Sequence, residues 1–110
     1  MNKREVFYKV KAHLLKQQAR AVRNARCVYR GDCGMKCAVG ALINDEHYSP
    51  ELEGLTVPNP KIRAALEASG VPTTRDVLDL LERLQDLHDG HLVGSWPAEL
   101  DYIEKQEFRK

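Results

Sequence analysis

Three cysteines and one histidine are the residues of this sequence best suited to metal or thiol chemistry. Cys27, Cys33 and Cys37 lie within eleven residues, and His47 follows them. Three thiolates and one imidazole satisfy a tetrahedral zinc ion. However, the sequence has no Cys-x2-Cys pair of the kind that begins most zinc knuckles, and free cysteine is common in protein cores. We therefore predict no bound cofactor and expect Cys27 and Cys37 to pack in the interior, with zinc as the alternative.

Cys37 is also the candidate nucleophile. It lies where a short predicted strand meets the N-terminus of a predicted helix, and a helix dipole lowers the pKa of a thiol there. A thiol enzyme also requires a nearby base, such as His47, His88 or His91, and an oxyanion hole. No spacing indicates either, and so short a chain leaves little room for a substrate cleft. We predict a protein that is not an enzyme, with a small cysteine-dependent or zinc-containing enzyme as the alternative.

Basic and acidic residues are strongly segregated along the chain. Residues 1–37 carry ten basic and two acidic side chains, a net charge of +8, whereas residues 38–110 carry seven basic and fourteen acidic ones, a net charge of −7. This division can serve pairing within the fold, self-association as a homodimer, or a charged face for a partner. Nucleic-acid binding is one alternative function, because cations contact phosphates. The basic face predicted for the first helix and its continuation consists of Lys9, Lys16, Arg20 and Arg23.

A polar, acidic segment between residues 45 and 53 is the predicted partner-binding surface. It combines negative charge with apolar anchors, so it suits a basic groove on a protein partner, such as one that normally holds nucleic acid. The candidate contact residues are Asp45, Glu46, Tyr48, Glu51, Leu52 and Glu53.

The elements that must position these residues are mainly helical. A first helix begins near Lys3, and its apolar pattern weakens after Gln17. Residues 26–37 are typical of a small β-hairpin that turns at 31–34. The apolar run Cys37–Ile43 predicts a short buried helix.

Three later helices have clearer boundaries. Asn59 suits an N-cap, Pro60 the first helical position, and Gly70 the end of that helix. The next helix ends at Gly90 and carries the widest apolar stripe of the chain. That stripe consists of Val77, Leu80, Leu81, Leu84 and Leu87. A last helix begins near Ser95.

Length and composition are typical of one globular domain. The 110 residues are 43% hydrophobic and 30% charged. Residues 1–110 are therefore predicted to form a single domain, a mainly α, compact bundle of four to five helices with one small β-hairpin near residues 26–37. No apolar run approaches the length that crosses a bilayer, and charged residues interrupt the N-terminal stretch where a secretory signal would be apolar. We expect a cytoplasmic protein that contacts no membrane.

The stretch from Cys27 to Gly54 resembles a known family. The residues Cys27-Val-Tyr-Arg-Gly31, Gly34-Met-Lys-Cys37-Ala-Val-Gly-Ala-Leu-Ile43, Asp45-Glu-His-Tyr48 and Glu53-Gly54 resemble an uncharacterised family of small proteins encoded by phages and bacteria. The likeness extends back over the first helix and loosely onto two later helices. Cys33 departs from the family pattern, so the resemblance gives that thiol no role.

The resemblance implies an origin but no activity. A phage or prophage origin is expected, and short proteins of that kind often bind and block a host protein, including defence nucleases. With the charge segregation and the missing catalytic signature, this predicts a non-enzymatic protein-binding module. Its expected role is that of an anti-CRISPR-like inhibitor of a host or defence protein.

Overall fold

A computed structural model describes residues 1–108, and within that range the chain forms four α-helices and one two-stranded hairpin. The elements are α1 (Lys3–Gln17), β1 (Val22–Arg23), β2 (Arg26–Cys27), α2 (Pro60–Ala68), α3 (Arg75–Gly90) and α4 (Trp96–Phe108). The predicted mainly α fold with one small hairpin is confirmed. None of the helices in the described range is both long and apolar enough to span a bilayer.

The hairpin lies earlier in the chain than predicted. β1 and β2 pair in antiparallel register across a two-residue turn, with φ values of 53° at Asn24 and 63° at Ala25. Two positive φ values are typical of the type I′ turn that matches strand twist. Glycine usually occupies the second position of that turn and marks it in a sequence. Ala25 stands there instead, so the sequence does not indicate the turn. The register pairs Val22 with Cys27 and Arg23 with Arg26.

Residues 28–52 form turns rather than regular elements. In the region where the hairpin was predicted, Arg30 and Lys36 form a single isolated antiparallel bridge. The predicted helix at Cys37–Ile43 is a turn followed by the short 3-10 helix Gly40–Leu42. Further 3-10 helices lie at Asp32–Gly34, Asp45–His47 and Pro50–Leu52. Two glycines of this stretch, Gly31 and Gly40, lie directly against the backbone of a neighbouring segment.

The predicted helix boundaries after residue 58 are confirmed. The side chain of Asn59 accepts a hydrogen bond from the Lys61 N–H at 2.9 Å, and Pro60 occupies the first position of α2. α3 ends at Gly90, and all five residues of its predicted apolar stripe are buried. α1 packs against α3, α4 and the Gly40–Leu42 turn, so the core lies between these elements.

Ion pairs between α1 and α4 use part of the segregated charge within the fold. Lys3 Nζ lies 2.7 Å from Glu107 Oε2, and Lys11 Nζ lies 2.8 Å from Glu104 Oε1. Arg83 on α3 also reaches Glu107, at 2.9 Å. The hydrogen bond from Lys3 lowers the pKa of the Glu107 carboxyl below its ordinary value. Basic residues of the N-terminal part therefore stabilise the acidic C-terminal helix.

Gly40 is required by a close backbone contact. A Cβ atom there would lie 2.1 Å from the Tyr29 carbonyl oxygen. We expect Gly40→Ala to lower the free energy of unfolding by about 3 kcal/mol or more, because backbone atoms cannot move aside as a flexible side chain does. Urea denaturation measures the change. Gly94→Ala is the matched control, since a Cβ at Gly94 has no neighbour within 4 Å. Equal stability of the two variants would contradict the packing described here.

Candidate functional site

An open cleft of about 380 Å³ lies between α3 and two segments of the chain that precede α2. Residues 27–29 form one wall, residues 53–57 form the second, and one face of α3 forms the third. Leu55 and Val57 give the cleft an apolar part. The side chains that α3 contributes are Glu82, Gln85, Asp86 and Asp89. The cleft therefore combines apolar surface with several carboxylates.

Two of the cleft carboxylates have no partner within residues 1–108. Glu82 and Asp86 are exposed, and neither makes a hydrogen bond or an ion pair in that part of the chain. They lie at i and i+4 of α3, so their side chains are neighbours on one helix face. The sequence-based prediction omits both, although this spacing on the polar side of the leucine stripe marks them as a pair. They give the cleft free negative charge.

The Glu53 carboxylate holds the two loop walls of the cleft together. Its Oε1 accepts a hydrogen bond from the Tyr29 N–H at 2.9 Å, and its Oε2 accepts one from the Arg30 N–H at 3.1 Å. Oε2 also accepts the Tyr48 hydroxyl at 2.7 Å. The Tyr29 hydroxyl in turn donates to the Leu55 carbonyl. Desolvation and the bond to Glu53 raise the pKa of Tyr48 to about 12.

Arg30 connects the start of the acidic segment, residues 45–53, to the hydrogen bonds around Glu53. Its guanidinium donates to Asp45 Oδ1 at 2.5 Å and to the Ile43 carbonyl at 2.5 Å. The same group lies 4.7 Å from the centre of the Tyr48 ring, within the range of a cation–π contact. The hydrogen bond and charge of Arg30 lower the pKa of the Asp45 carboxyl. Asp45 is therefore paired with Arg30, although its side chain is exposed.

Most of the predicted partner-binding segment is used internally. Asp45, Tyr48 and Glu53 bind within the fold, and Leu52 is buried. Glu46 and Glu51 remain exposed. The predicted basic face is likewise divided, because Lys9 and Lys16 are exposed on α1 without an ion pair inside residues 1–108.

The other two members of that basic face contact the protein itself. Arg20 donates to the carbonyl oxygens of His88 and His91, where it satisfies the C-terminal end of α3. Arg23 lies 3.6 Å from Asp32, a long and exposed ion pair. Of the basic face predicted to contact nucleic acid, only Lys9 and Lys16 on α1 therefore have side chains that make no hydrogen bond or ion pair within residues 1–108.

The three thiols have different environments. Cys37 is fully buried, as predicted, and burial raises its pKa to about 12. Its Sγ accepts the Gly40 N–H at 3.2 Å. Such a thiol is neither accessible nor ionised at neutral pH, so it does not suit a nucleophile. Cys33 is exposed in a 3-10 turn. The expectation that Cys27 packs in the interior is wrong, because the displaced hairpin places it at the exposed wall of the cleft.

Cys27 lies beside a histidine and an aspartate. Ligand atoms of Cys27, His88 and Asp89 lie within 4.8 Å of one another, a group that shares only Cys27 with the predicted zinc ligands. Desolvation and the charge of Asp89 raise the pKa of the Cys27 thiol, while Arg20 opposes them. The thiol is therefore not activated, although it stands at a cleft.

Hydrogen bonds occupy both ring nitrogens of His88. The ring is fully buried, and Nε2 accepts the Ala21 N–H at 3.0 Å because a backbone N–H can only donate. Nδ1 therefore carries the proton and donates to Asp89 Oδ1 at 2.6 Å. A metal on Nδ1 would move the proton to Nε2, where two N–H donors would face each other in the interior. The residues present do not fit a zinc ion, and His88 is not free to act as a base for Cys27.

Comparison with known proteins finds no matching family model, no similar curated protein and no similar solved structure.

The Glu53 network predicts a specific stability effect. Glu53→Gln leaves one carbonyl oxygen where two carboxylate oxygens bind three donors, and the new NH2 group faces an N–H. We expect the free energy of unfolding to fall by about 2 kcal/mol. Urea denaturation measures this free energy. Glu51→Gln is the control, because Glu51 is exposed and its side chain makes no hydrogen bond within residues 1–108. A loss in the Glu51 variant as large as in the Glu53 variant would contradict this role.

The His88 geometry predicts that metal does not bind at Cys27. Titration with cobalt(II) should give no thiolate-to-cobalt absorption band, because His88 Nδ1 has no free lone pair. Ser variants of Cys27 and Cys33 serve as matched controls. A band at one equivalent that disappears in Cys27→Ser and persists in Cys33→Ser would show that the tautomer argument is incorrect.

Proposed function

We propose that this chain is a non-enzymatic, cytoplasmic protein-binding module, and that its cleft receives a basic segment of a partner protein. The observation that carries the proposal is the pair of carboxylates, Glu82 and Asp86, which have no partner within residues 1–108 and lie beside the apolar part of an open cleft. A long cationic side chain suits this arrangement, because its methylene stem packs on the half-buried Val28 and Leu55 while its charged end meets the carboxylates.

The state of the thiols supports a non-enzymatic role. Cys37 is buried with a raised pKa, and the pKa of Cys27 is also raised. A thiol enzyme needs an ionised sulfur beside a free base, and both nitrogens of His88 are engaged elsewhere. Binding through shape and charge requires neither.

The cleft is favoured over the acidic segment as the primary contact. Glu53 would have to give up internal hydrogen bonds before it could bind a partner, and Arg30 already partly neutralises the charge of the exposed Asp45. Glu82 and Asp86 would give up only water. The exposed Glu46 and Glu51 leave the segment as a second surface, which can be tested beside the cleft.

The resemblance to small phage and bacterial proteins extends the proposal to the kind of partner. A host protein, including a defence nuclease, exposes basic segments where it holds nucleic acid, and an acidic cleft competes for such a segment. The proposed role is therefore that of an anti-CRISPR-like inhibitor that blocks a basic surface.

Capture of a partner by neutralised variants tests this function. Tagged protein is incubated with bacterial lysate, and a captured protein is identified, purified and titrated by calorimetry. We expect Glu82→Gln/Asp86→Asn to weaken its binding by about tenfold to a hundredfold, because two charge contacts are lost without a change of shape.

The matched control is Glu46→Gln/Glu51→Gln, which removes the same charge from the acidic segment. It should change the affinity less than about twofold, since most exposed pairs contribute little. Undiminished binding by the cleft variant would contradict the proposal. Stronger weakening by the control would move the contact to the segment between residues 45 and 53.

A further inference from the structure

The β1–β2 hairpin carries a local conflict that the fold does not resolve. The antiparallel register sets Arg23 directly opposite Arg26, and like charges across a strand pair repel each other. Between them, Ala25 adopts a φ of 63°, a left-handed conformation that disfavours any side chain. Such conflicts are expected where a segment serves binding rather than stability.

The two arginines have little to bind within the molecule. Both are exposed, Arg26 makes no ion pair inside residues 1–108, and Arg23 lies 3.6 Å from Asp32. Their Cβ atoms are about 4.5 to 5.5 Å apart, the spacing of directly opposed residues in a strand pair. The hairpin therefore presents two neighbouring cations at an exposed turn.

The cleft presents the complementary pair at a matching spacing. Glu82 and Asp86 lie at i and i+4 of α3, which places their Cβ atoms about 5 to 6 Å apart. These carboxylates and the two arginines are thus of opposite charge, equal number and similar separation. The whole chain carries a formal net charge of only +1, so two copies do not repel each other strongly.

We propose that the hairpin of a second copy of this chain docks at the cleft, with Arg23 and Arg26 meeting Glu82 and Asp86. The inference rests on the proposed function, because it uses the same cleft and names what fills it when no other partner is bound. Arg26 precedes Cys27, which lines the cleft, so the two complementary surfaces are contiguous. Contiguous complementary surfaces are satisfied reciprocally by a two-fold axis, which gives a closed dimer rather than an open chain.

Sedimentation velocity of the protein alone tests the dimer. At about 0.05 M NaCl, the apparent mass should rise with concentration from 12.5 kDa towards twice that value. At about 0.5 M NaCl the dimer should dissociate, because salt screens exposed charges. A mass that stays at the monomer value up to about 1 mM protein at low salt would overturn the inference.

Charge exchange shows whether these four residues form the contact. Arg23→Glu/Arg26→Glu and Glu82→Arg/Asp86→Arg should each weaken self-association by about tenfold or more, because each brings like charges together. An equimolar mixture of the two variants should dimerise again, since both reciprocal contacts regain opposite charges. Circular dichroism confirms that each variant is folded, and a folded mixture that remains monomeric would exclude this arrangement.

A matched control and a native thiol test the location of the contact. Lys9→Glu/Lys16→Glu reverses two positive charges on α1, as Arg23→Glu/Arg26→Glu does on the hairpin, and it should leave the dimer intact. Loss of the dimer in this control would place the contact on α1 instead. Cys27 should become more resistant to alkylation as protein concentration rises, whereas the exposed Cys33 provides the internal reference. Unchanged relative rates in the dimer would also count against docking at the cleft.

These measurements separate the two proposals. The self-association experiments contain no other protein. If the chain is monomeric in them, the second copy is excluded as the occupant of the cleft, and the binding of a host protein is judged by the capture experiment alone. Conversely, the chain could form a salt-sensitive dimer while Glu82→Gln/Asp86→Asn binds a captured partner as tightly as the unchanged protein does. That result would support self-association and exclude the cleft as the partner-binding site.

Discussion

The turn-rich region depends on one carboxylate, that of Glu53. Residues 28–52 contain no α-helix, so their backbone groups cannot all bond within regular elements and must find other partners. Glu53 accepts the N–H groups of Tyr29 and Arg30, and it receives the Tyr48 hydroxyl. Hydrogen bonds to a charged acceptor are stronger than those between neutral groups. One side chain thereby connects three points of a segment with little regular structure.

The same carboxylate determines the shape of the cleft. Its bonds join the wall at residues 27–29 to the wall at residues 53–57, and the Tyr29 hydroxyl adds a second link to Leu55. α3 completes the cleft because its leucine stripe is buried, which leaves its polar face outward beside those walls. The candidate binding site is therefore a consequence of the network that holds the turns, not a separate structure placed upon them.

Local signals and long-range contacts explain which predictions succeeded. Asn59 with Pro60, the stripe of α3 and the stop at Gly90 are local patterns, and the structure confirms each of them. The hairpin position was wrong because Ala25 stands where glycine would mark the turn. The exposure of Cys27 followed from that displacement. The bonds of Glu53 to Tyr29 and Arg30, and the bond of Asp45 to Arg30, join residues 15 to 24 positions apart, and no local pattern indicates such pairs.

Pairing, rather than charge alone, separates a structural acidic residue from one available for binding. In the sequence, Asp45 and Asp86 are equivalent acids in a negatively charged half of the chain. In the fold, Arg30 binds Asp45 Oδ1 at 2.5 Å, so the charge of that exposed carboxylate is already partly neutralised. Asp86 faces solvent, and a cation that approaches it replaces only water. The exchange at Asp86 therefore has the more favourable free energy, although both groups carry the same charge. The same reasoning applies to the cations, where Arg20 is held at the end of α3 while Arg26 is free within residues 1–108. Glu82, Asp86 and Arg26 are groups of this kind that have no partner within residues 1–108, and they are therefore available to bind another molecule.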